Sequence, residues 1–118
     1  MAAIGPAFLV GIGGAIGALA RYFLGRAVDH EAFPVGTLTV NVVGSFVLGL
    51  VTFAAPGDRV ALLVGVGACG AFTTFSSFAV DTVRLWEDGR PVVAVGNAVV
   101  NLAGALAAVG LAWLLATV

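Results

Sequence analysis

Apolar residues run along this chain in four long segments, separated by three short breaks where charged residues accompany proline or glycine. Each segment is close to or longer than the ~20 residues that an α-helix needs to cross the hydrocarbon of a bilayer. The breaks have the composition of turns. The pattern predicts an all-α membrane protein, a single domain over residues 1–118 with transmembrane helices at 7–28, 35–53, 60–86 and 92–118.

The third segment contains a stretch, GAFTTFSSF at residues 70–78, that a plain apolar helix would not carry. Gly70 can adopt backbone angles that are closed to other residues, and Thr73 and Thr74 can satisfy amide groups that a helix break sets free. Such breaks persist at membrane depth where the backbone is buried in protein or lines a cavity. We therefore predict a break near residues 70–74, whose freed carbonyls would suit a cation.

Neutral polar residues form stripes on the second and fourth predicted helices. Thr37, Asn41 and Ser45 recur at every fourth position and so share one helix face. Asn97 and Asn101 have the same spacing on the fourth helix. An asparagine in mid-membrane needs a hydrogen-bond partner, so Asn41 faces either a partner helix or a water-filled path, and we favour the path.

The first helix offers one packing feature and one cation with two interpretations. Gly13 and Gly17 form a small-xxx-small face, which lets two helix backbones approach closely in lipid. Arg21 lies beside Tyr22, near the predicted end of the helix. It either extends to the lipid headgroups or lines a vestibule that attracts anions.

The composition agrees with a membrane protein and excludes several functions. Hydrophobic residues make up 61% of the chain and charged residues 9%, against roughly 45–50% and about 25% in soluble proteins. The net charge of −1 gives no basic patch for nucleic acid. One cysteine excludes an intrachain disulfide. The only histidine, His30, sits in a predicted loop, so no nucleophile–base pair is available and we predict that the chain is not an enzyme.

The polar groups inside the predicted spans suit a small anion. They are neutral, and the first, second and fourth helices hold no deep carboxylate or histidine of the kind that proton-coupled transporters use. Hydroxyl and amide groups can replace the hydration shell of an anion without trapping it in a charge pair. The rings of Phe75 and Phe78 add electropositive edges. These residues predict a path for a small anion.

Three motifs together resemble the small fluoride channels of the CrcB/Fluc family. They are GGAIGALARY at 13–22, GTLTVNVVGSF at 36–46 and GAFTTFSSF at 70–78, and they lie on three of the four predicted helices. The resemblance implies a multi-pass protein of the cell membrane that assembles as an antiparallel, dual-topology dimer with two pores. It further implies passive export of fluoride, which lowers fluoride toxicity in the cytoplasm.

The resemblance also implies roles for individual residues. A structural sodium ion, which is not transported, would be held by the backbone carbonyls of Gly70 and Thr73. The fluoride pore would be lined by Phe75, Phe78, Asn41, Ser76 and Ser77. Further candidates at the vestibule or along the pore are Arg21, Thr37, Ser45, Thr74, Asn97 and Asn101. Asp81 stands where many relatives carry glutamate, and we expect it near the aqueous end of its helix, with Arg84 as a candidate partner.

The placement of the arginines bears on orientation and assembly. Loops one and three, with the adjoining helix ends, hold four arginines, and the opposite side holds Arg59 alone. The positive-inside rule then places loops one and three in the cytoplasm and both termini outside. A dual-topology homodimer should show almost no such bias. A heterodimer with an oppositely inserted homologue therefore stands as an alternative to the homodimer that the resemblance favours.

Two other functions compete with a fluoride channel. A small multidrug exporter is also a four-helix dimer, but it would want a carboxylate in the first helix, and this helix has none. A non-transporting subunit of a membrane assembly would use the polar stripes for helix packing alone. Measured transport separates these possibilities, because the packing subunit would carry no flux.

Overall fold

Five helices forming four membrane spans make up residues 3–118, the part of the chain that this computed structural model describes. They are α1 (Pro6–Ala27), α2 (Val35–Ala54), α3 (58–72), α4 (Phe75–Glu87) and α5 (Pro91–Thr117). α3 and α4 together form the third span, Asp58–Glu87, and all four spans are long and apolar enough to cross a membrane. The predicted all-α fold with an interrupted third helix is therefore confirmed.

The third span changes its geometry before it breaks. Ala61–Cys69 form wider turns, of the kind closed by i→i+5 hydrogen bonds. Gly70 is helical, with φ −60° and ψ −38°, and the helix continues to Phe72. Thr73 and Thr74 are extended, with ψ values of 159° and 116°. The expectation that Gly70 supplies unusual backbone angles is wrong, and the interruption lies at the two threonines.

The reversal between α4 and α5 is fixed by a glycine. Gly89 has φ 76°, in the left-handed region that favours glycine. Its amide donates to the Trp86 carbonyl at 3.2 Å, and the Arg90 amide donates to the Leu85 carbonyl at 2.9 Å. This pair of bonds closes the end of α4. Pro91 then begins α5 at a position where a helix needs no amide proton.

α1 packs against α3 backbone to backbone. A Cβ atom on Gly13 would overlap the carbonyl of Leu63, and one on Gly17 would overlap the carbonyl of Ala68. The small-xxx-small face predicted on α1 is therefore a close helix contact. Any larger residue at either position would require the two helices to move apart.

α5 packs against both α2 and α4. Val40 of α2 and Ala94 of α5 are each 1% exposed, and a Cβ atom on Gly49 of α2 would lie 2.8 Å from Cβ of Ala112. The small residues allow α2 and α5 to approach closely. The polar stripes predicted on these two helices consequently face each other.

Many of the large outward-facing side chains of the spans are apolar. Phe8 and Phe23 of α1 and Leu102 and Leu106 of α5 are between 63% and 72% exposed. Contiguous apolar surface of this kind is unusual in water. The helices are therefore surrounded by the hydrocarbon of a bilayer or by another protein chain.

Candidate functional site

Threonine side chains complete both helix ends at the interruption. The Thr73 hydroxyl donates to the Cys69 carbonyl at 3.0 Å, within the last turns of α3. Thr74 is the N-cap of α4, and its hydroxyl oxygen accepts the Ser77 amide at 3.1 Å. Threonine suits this position because its oxygen reaches the amide three residues further on. The chain can thus leave one helix and start the next at membrane depth with these polar groups paired.

Asn41 of α2 holds the interruption in place. Its Oδ1 accepts the Thr74 amide at 2.7 Å, and its Nδ2 donates to the Thr74 carbonyl at 3.1 Å. An asparagine side chain carries both an acceptor and a donor, so it can pair with a peptide unit as a backbone segment would. In a continuous helix the Thr74 amide would bond to the Gly70 carbonyl. Asn41 replaces the helical bond that the interruption removes.

The interruption takes the usual helical donors away from the carbonyls of residues 70–73, and those of Gly70 and Thr73 illustrate how. The Thr74 amide would otherwise reach Gly70, and the Ser77 amide would otherwise reach Thr73, but both amides donate to side chains. Gly70 and Thr73 border one cleft of about 650 Å³. Nothing lies within 4 Å of the place where a Cβ atom on Gly70 would be. Across residues 3–118 no three His, Cys, Asp or Glu side chains cluster as metal ligands, so a cation here would depend on carbonyl oxygens.

The two phenylalanines of the predicted pore stand together on the first turn of α4. The ring centroids of Phe75 and Phe78 are 5.7 Å apart, and the ring planes meet at 50°. Phe75 is 78% exposed and Phe78 is half-buried. Both border an open groove of about 360 Å³, whose polar lining comes from α2, the interruption and α5: Asn41, Ser45, Thr73, Thr74 and Asn101. Residues that lie far apart in the sequence therefore meet at one groove.

A second polar cavity, also of about 360 Å³, meets the interruption as well, and we refer to it as the vestibule. Its lining includes four sequence-predicted candidates: Arg21, Thr37, Thr74 and Ser77. Arg21 is half-buried in this wall, a position that favours the vestibule interpretation over extension to the headgroups. Thr74 borders both the vestibule and the groove. The interruption therefore separates the two cavities.

Two charged residues of the vestibule have partners that the sequence did not reveal. Asp81 accepts a hydrogen bond from the Thr37 hydroxyl at 2.7 Å. The partner predicted from the sequence was Arg84. Arg26 donates to the Tyr22 hydroxyl at 2.7 Å, and its guanidinium carbon lies 5.4 Å from the centre of that ring. The hydroxyl proton of Thr37 is thus directed at a carboxylate and not into the cavity.

The two asparagines of α5 are buried against neighbouring side chains. Asn97 is 0% exposed and Asn101 is 7% exposed. Asn97 Nδ2 donates to Thr82 Oγ1 at 2.9 Å, and Asn101 Nδ2 donates to Oδ1 of Asn97 at the same distance. Thr82 was not among the predicted site residues, although its one-turn spacing from Phe78 is visible in the sequence. The fourth-helix stripe is therefore a buried network with a partner on α4.

These features define a class of protein. Four apolar spans, a third span interrupted at membrane depth and polar cavities that meet the interruption belong to a small multi-pass membrane protein that moves an ion or solute. Within that class, the chain belongs to the family described as CrcB-like protein, Camphor Resistance (CrcB), which it matches over residues 8–113. The resemblance that rested on three motifs is confirmed.

Curated relatives agree with this membership. The chain is 63% identical over 113 residues to Fluoride-specific ion channel FluC 2 of Haloarcula marismortui, covering 96% of the chain and 95% of the relative. It is 57% identical over 110 residues to Fluoride-specific ion channel FluC 1 of Halobacterium salinarum, covering 93% and 92%. It is 44% identical over 107 residues to Fluoride-specific ion channel FluC 3 of Methanosarcina acetivorans, covering 90% and 96%. These relatives are named as channels, in agreement with the prediction of a multi-pass membrane protein that is not an enzyme.

Proposed function

We propose that this chain forms a fluoride-specific channel, through which fluoride leaves the cytoplasm passively. The observation that carries the proposal is the groove at the interruption, where two phenylalanine rings lie beside threonine and asparagine side chains. Membership of a family whose relatives are named fluoride-specific ion channels supports it. The chemistry supports it as well, because hydroxyl groups and ring edges are neutral donors to an anion.

The proposed path begins in the vestibule, where Arg21 offers an anion a cationic contact, although Asp29 and Asp81 in the same wall balance the charge of Arg21 and Arg26. It continues over the exposed hydroxyls of Ser77 and Ser76 at the start of α4. It then reaches the ring edges of Phe75 and Phe78 in the groove. No charged side chain among the described residues lines the groove, so a fluoride ion there would not be held in an ion pair.

The groove needs a second wall, and we propose that a second copy of the chain, inserted in the opposite orientation, supplies it. Phe75 is 78% exposed on one side of the groove, which a single chain leaves open. The cleft at Gly70 is open in the same way. An antiparallel homodimer would cover both. A heterodimer with an oppositely inserted homologue would do so too, and the distribution of arginines raises that alternative.

Reconstitution of the chain alone into liposomes tests the channel and its partner together. Vesicles loaded with potassium fluoride and made permeable to potassium with valinomycin are expected to release fluoride to an electrode, whereas chloride-loaded vesicles keep their anion. Fluoride release from the single gene product would end the heterodimer alternative. Fluoride flux that requires a drug or a proton gradient would favour the alternative of a small multidrug exporter. If no fluoride is released even after co-reconstitution with a homologue, the result would contradict the channel.

We propose in addition that a structural sodium ion lies in the cleft beside the interruption, held by the carbonyls of Gly70 and Thr73. The loss of the helical donors to both carbonyls supports this placement, and so does their position along one cleft. Two carbonyls leave a sodium ion with an incomplete shell. An antiparallel pair of chains, with two carbonyls from each copy, would bring the shell closer to completion.

Replacing sodium with N-methyl-D-glucamine is expected to lower the melting temperature of the solubilised protein and to reduce its fluoride flux. A ligand that binds only the folded state stabilises it by about 2.7 kcal/mol at a concentration 100 times its Kd, a shift that a thermal melt resolves. Thr73→Val keeps the backbone carbonyl and should keep the dependence on sodium. Equal melting temperatures and equal flux in the two cations would contradict a structural sodium ion.

A further inference from the structure

We propose that Thr82 and Asn97 are positioning residues for Phe78, which they hold through a directional chain of hydrogen bonds that we call the asparagine relay. The proposal rests on the proposed function, in which Phe78 lines the fluoride path. Neither Thr82 nor Asn97 borders the groove, and Asn97 is 0% exposed. Both residues therefore act on the path through another residue.

The first half of the relay joins the interruption to α2 and α5. The Thr74 amide donates to Asn41 Oδ1 at 2.7 Å, and Asn41 Nδ2 lies 3.5 Å from Asn101 Oδ1. Asn101 Nδ2 donates both to the backbone carbonyl of Asn97, at 2.8 Å, and to its Oδ1, at 2.9 Å. A backbone amide can only donate and a backbone carbonyl can only accept. The orientations of the Asn41 and Asn101 side chains are therefore fixed by their backbone partners.

The second half of the relay joins α5 to α4. Because Asn97 Oδ1 accepts from Asn101, its Nδ2 faces Thr82 Oγ1, to which it donates at 2.9 Å. The Thr82 hydroxyl in turn donates to the Phe78 carbonyl at 2.8 Å. That carbonyl can only accept, so the Thr82 oxygen is left to receive the Asn97 proton. The relay thus ends on the backbone of Phe78, which carries one of the two rings.

The relay changes the role expected of the asparagines. Asn41 Nδ2 faces the Thr74 carbonyl and Asn101 Oδ1, and Asn101 Nδ2 faces two oxygens of Asn97. An amide whose N–H bonds point at protein acceptors has none directed at an anion. The asparagines therefore hold the donors of the path in position, and the hydroxyls and rings contact the fluoride.

The bond from Thr82 to its own helix is not unusual by itself. Thr52 and Thr117 also donate to the carbonyl four residues earlier, at 2.8 Å and 2.7 Å, and both of those bonds are exposed. Such a bond satisfies the hydroxyl and affects the local helix only modestly. Thr82 differs because its oxygen also accepts from a buried amide of another helix. This second bond ties the Phe78 turn of α4 to α5.

Thr82→Val tests the proposal, because it keeps the shape of the side chain and removes its hydroxyl. Fluoride flux through the full-length protein in liposomes is expected to fall about tenfold, the order of effect of a buried hydrogen bond. Thr82→Ser restores the hydroxyl and should restore flux. Thr117→Val removes the same kind of helical bond outside the relay and should leave flux unchanged.

A second readout follows the ring itself. With 4-fluorophenylalanine at position 78, the ¹⁹F resonance is expected to shift in Thr82→Val and to stay in place in Thr82→Ser and Thr117→Val. Asn97→Leu, which leaves an apolar side chain in the membrane, provides a second variant if Thr82→Val does not assemble. It should shift the same resonance. The double variant should lose less than the sum of the two single losses, because the bond between Asn97 and Thr82 is broken in both single variants.

The outcomes distinguish this proposal from the proposed function. Wild-type flux in Thr82→Val would overturn the positioning role, and so would lost flux with an unmoved Phe78 resonance. A wild-type protein that carries no fluoride would contradict the channel, while the resonance would still report whether Thr82 and Asn97 position Phe78. A shifted resonance together with reduced flux, both rescued by serine, would support the proposal in full.

Discussion

Phe75→Ile and Phe78→Ile are each expected to lower fluoride flux by roughly 30- to 100-fold, which corresponds to losing one or two donors to an ion. Isoleucine keeps an apolar side chain but has no ring, so the electropositive edge disappears. Phe75 is 78% exposed and therefore contributes little to packing within the chain. Because isoleucine is also apolar, both variants should remain assembled, and the loss should appear in the electrode assay and not in the yield or the melting temperature.

Phe8→Ile is the matched control for these two variants. Phe8 is 72% exposed, nearly as much as Phe75, but it lies on the outer face of α1 and borders neither the groove nor the vestibule. Its substitution should leave flux unchanged. Wild-type flux in both Phe75→Ile and Phe78→Ile would remove the rings from the path, and equal losses in all three variants would indicate a general effect on the protein.

Asn41→Asp is expected to abolish measurable fluoride flux and to destabilise the protein by about 2–4 kcal/mol. The substitution is nearly isosteric, but the Nδ2 donor becomes an oxygen that faces the Thr74 carbonyl at 3.1 Å and Asn101 Oδ1 at 3.5 Å. Oxygen would then meet oxygen at both contacts. A carboxylate at this depth also carries a large desolvation cost and repels an anion. A thermal melt and the electrode assay measure the two effects.

Asn41→Leu separates geometry from charge. It introduces no carboxylate, yet it leaves the amide and carbonyl of Thr74 without their side-chain partner. If Asn41 acts by holding the interruption, the melting temperature should fall in Asn41→Leu as well as in Asn41→Asp. A leucine variant with the stability and flux of the wild type would show that the two bonds to Thr74 are dispensable.

The four membrane spans could be predicted from the sequence, because hydropathy and turn composition are local properties. The approximate position of the interruption could also be predicted, since Thr74, with Ser77 three residues further on, has the pattern of an N-cap, and Thr73 precedes it. The predicted range, 70–74, contains the two extended threonines, but it also includes Gly70, which is helical. The extended residues are stabilised by Asn41, a partner 33 positions away, and local propensity carries no information about such a partner.

The rest of the site depends on the register between helices. Thr37 reaches Asp81 across 44 positions, and Asn97 reaches Thr82 from the neighbouring helix. A stripe at i, i+4 shows that residues share a face, but it does not show which face of which helix lies opposite. For this reason the polar residues were found in the sequence, whereas their assignment as donors to the anion or as supports for other residues required the structure.

The interruption at Thr73 and Thr74 also divides one helix macrodipole into two. The carbonyl end of α3 carries about half a negative charge, and the amide end of α4 carries about half a positive charge. The two ends are separated by two residues and lie inside a membrane span, where the dielectric constant is low and partial charges act strongly. A cation is favoured on the α3 side and an anion on the α4 side. One short break in the backbone therefore provides opposite potentials for two ions without any ionised side chain between them.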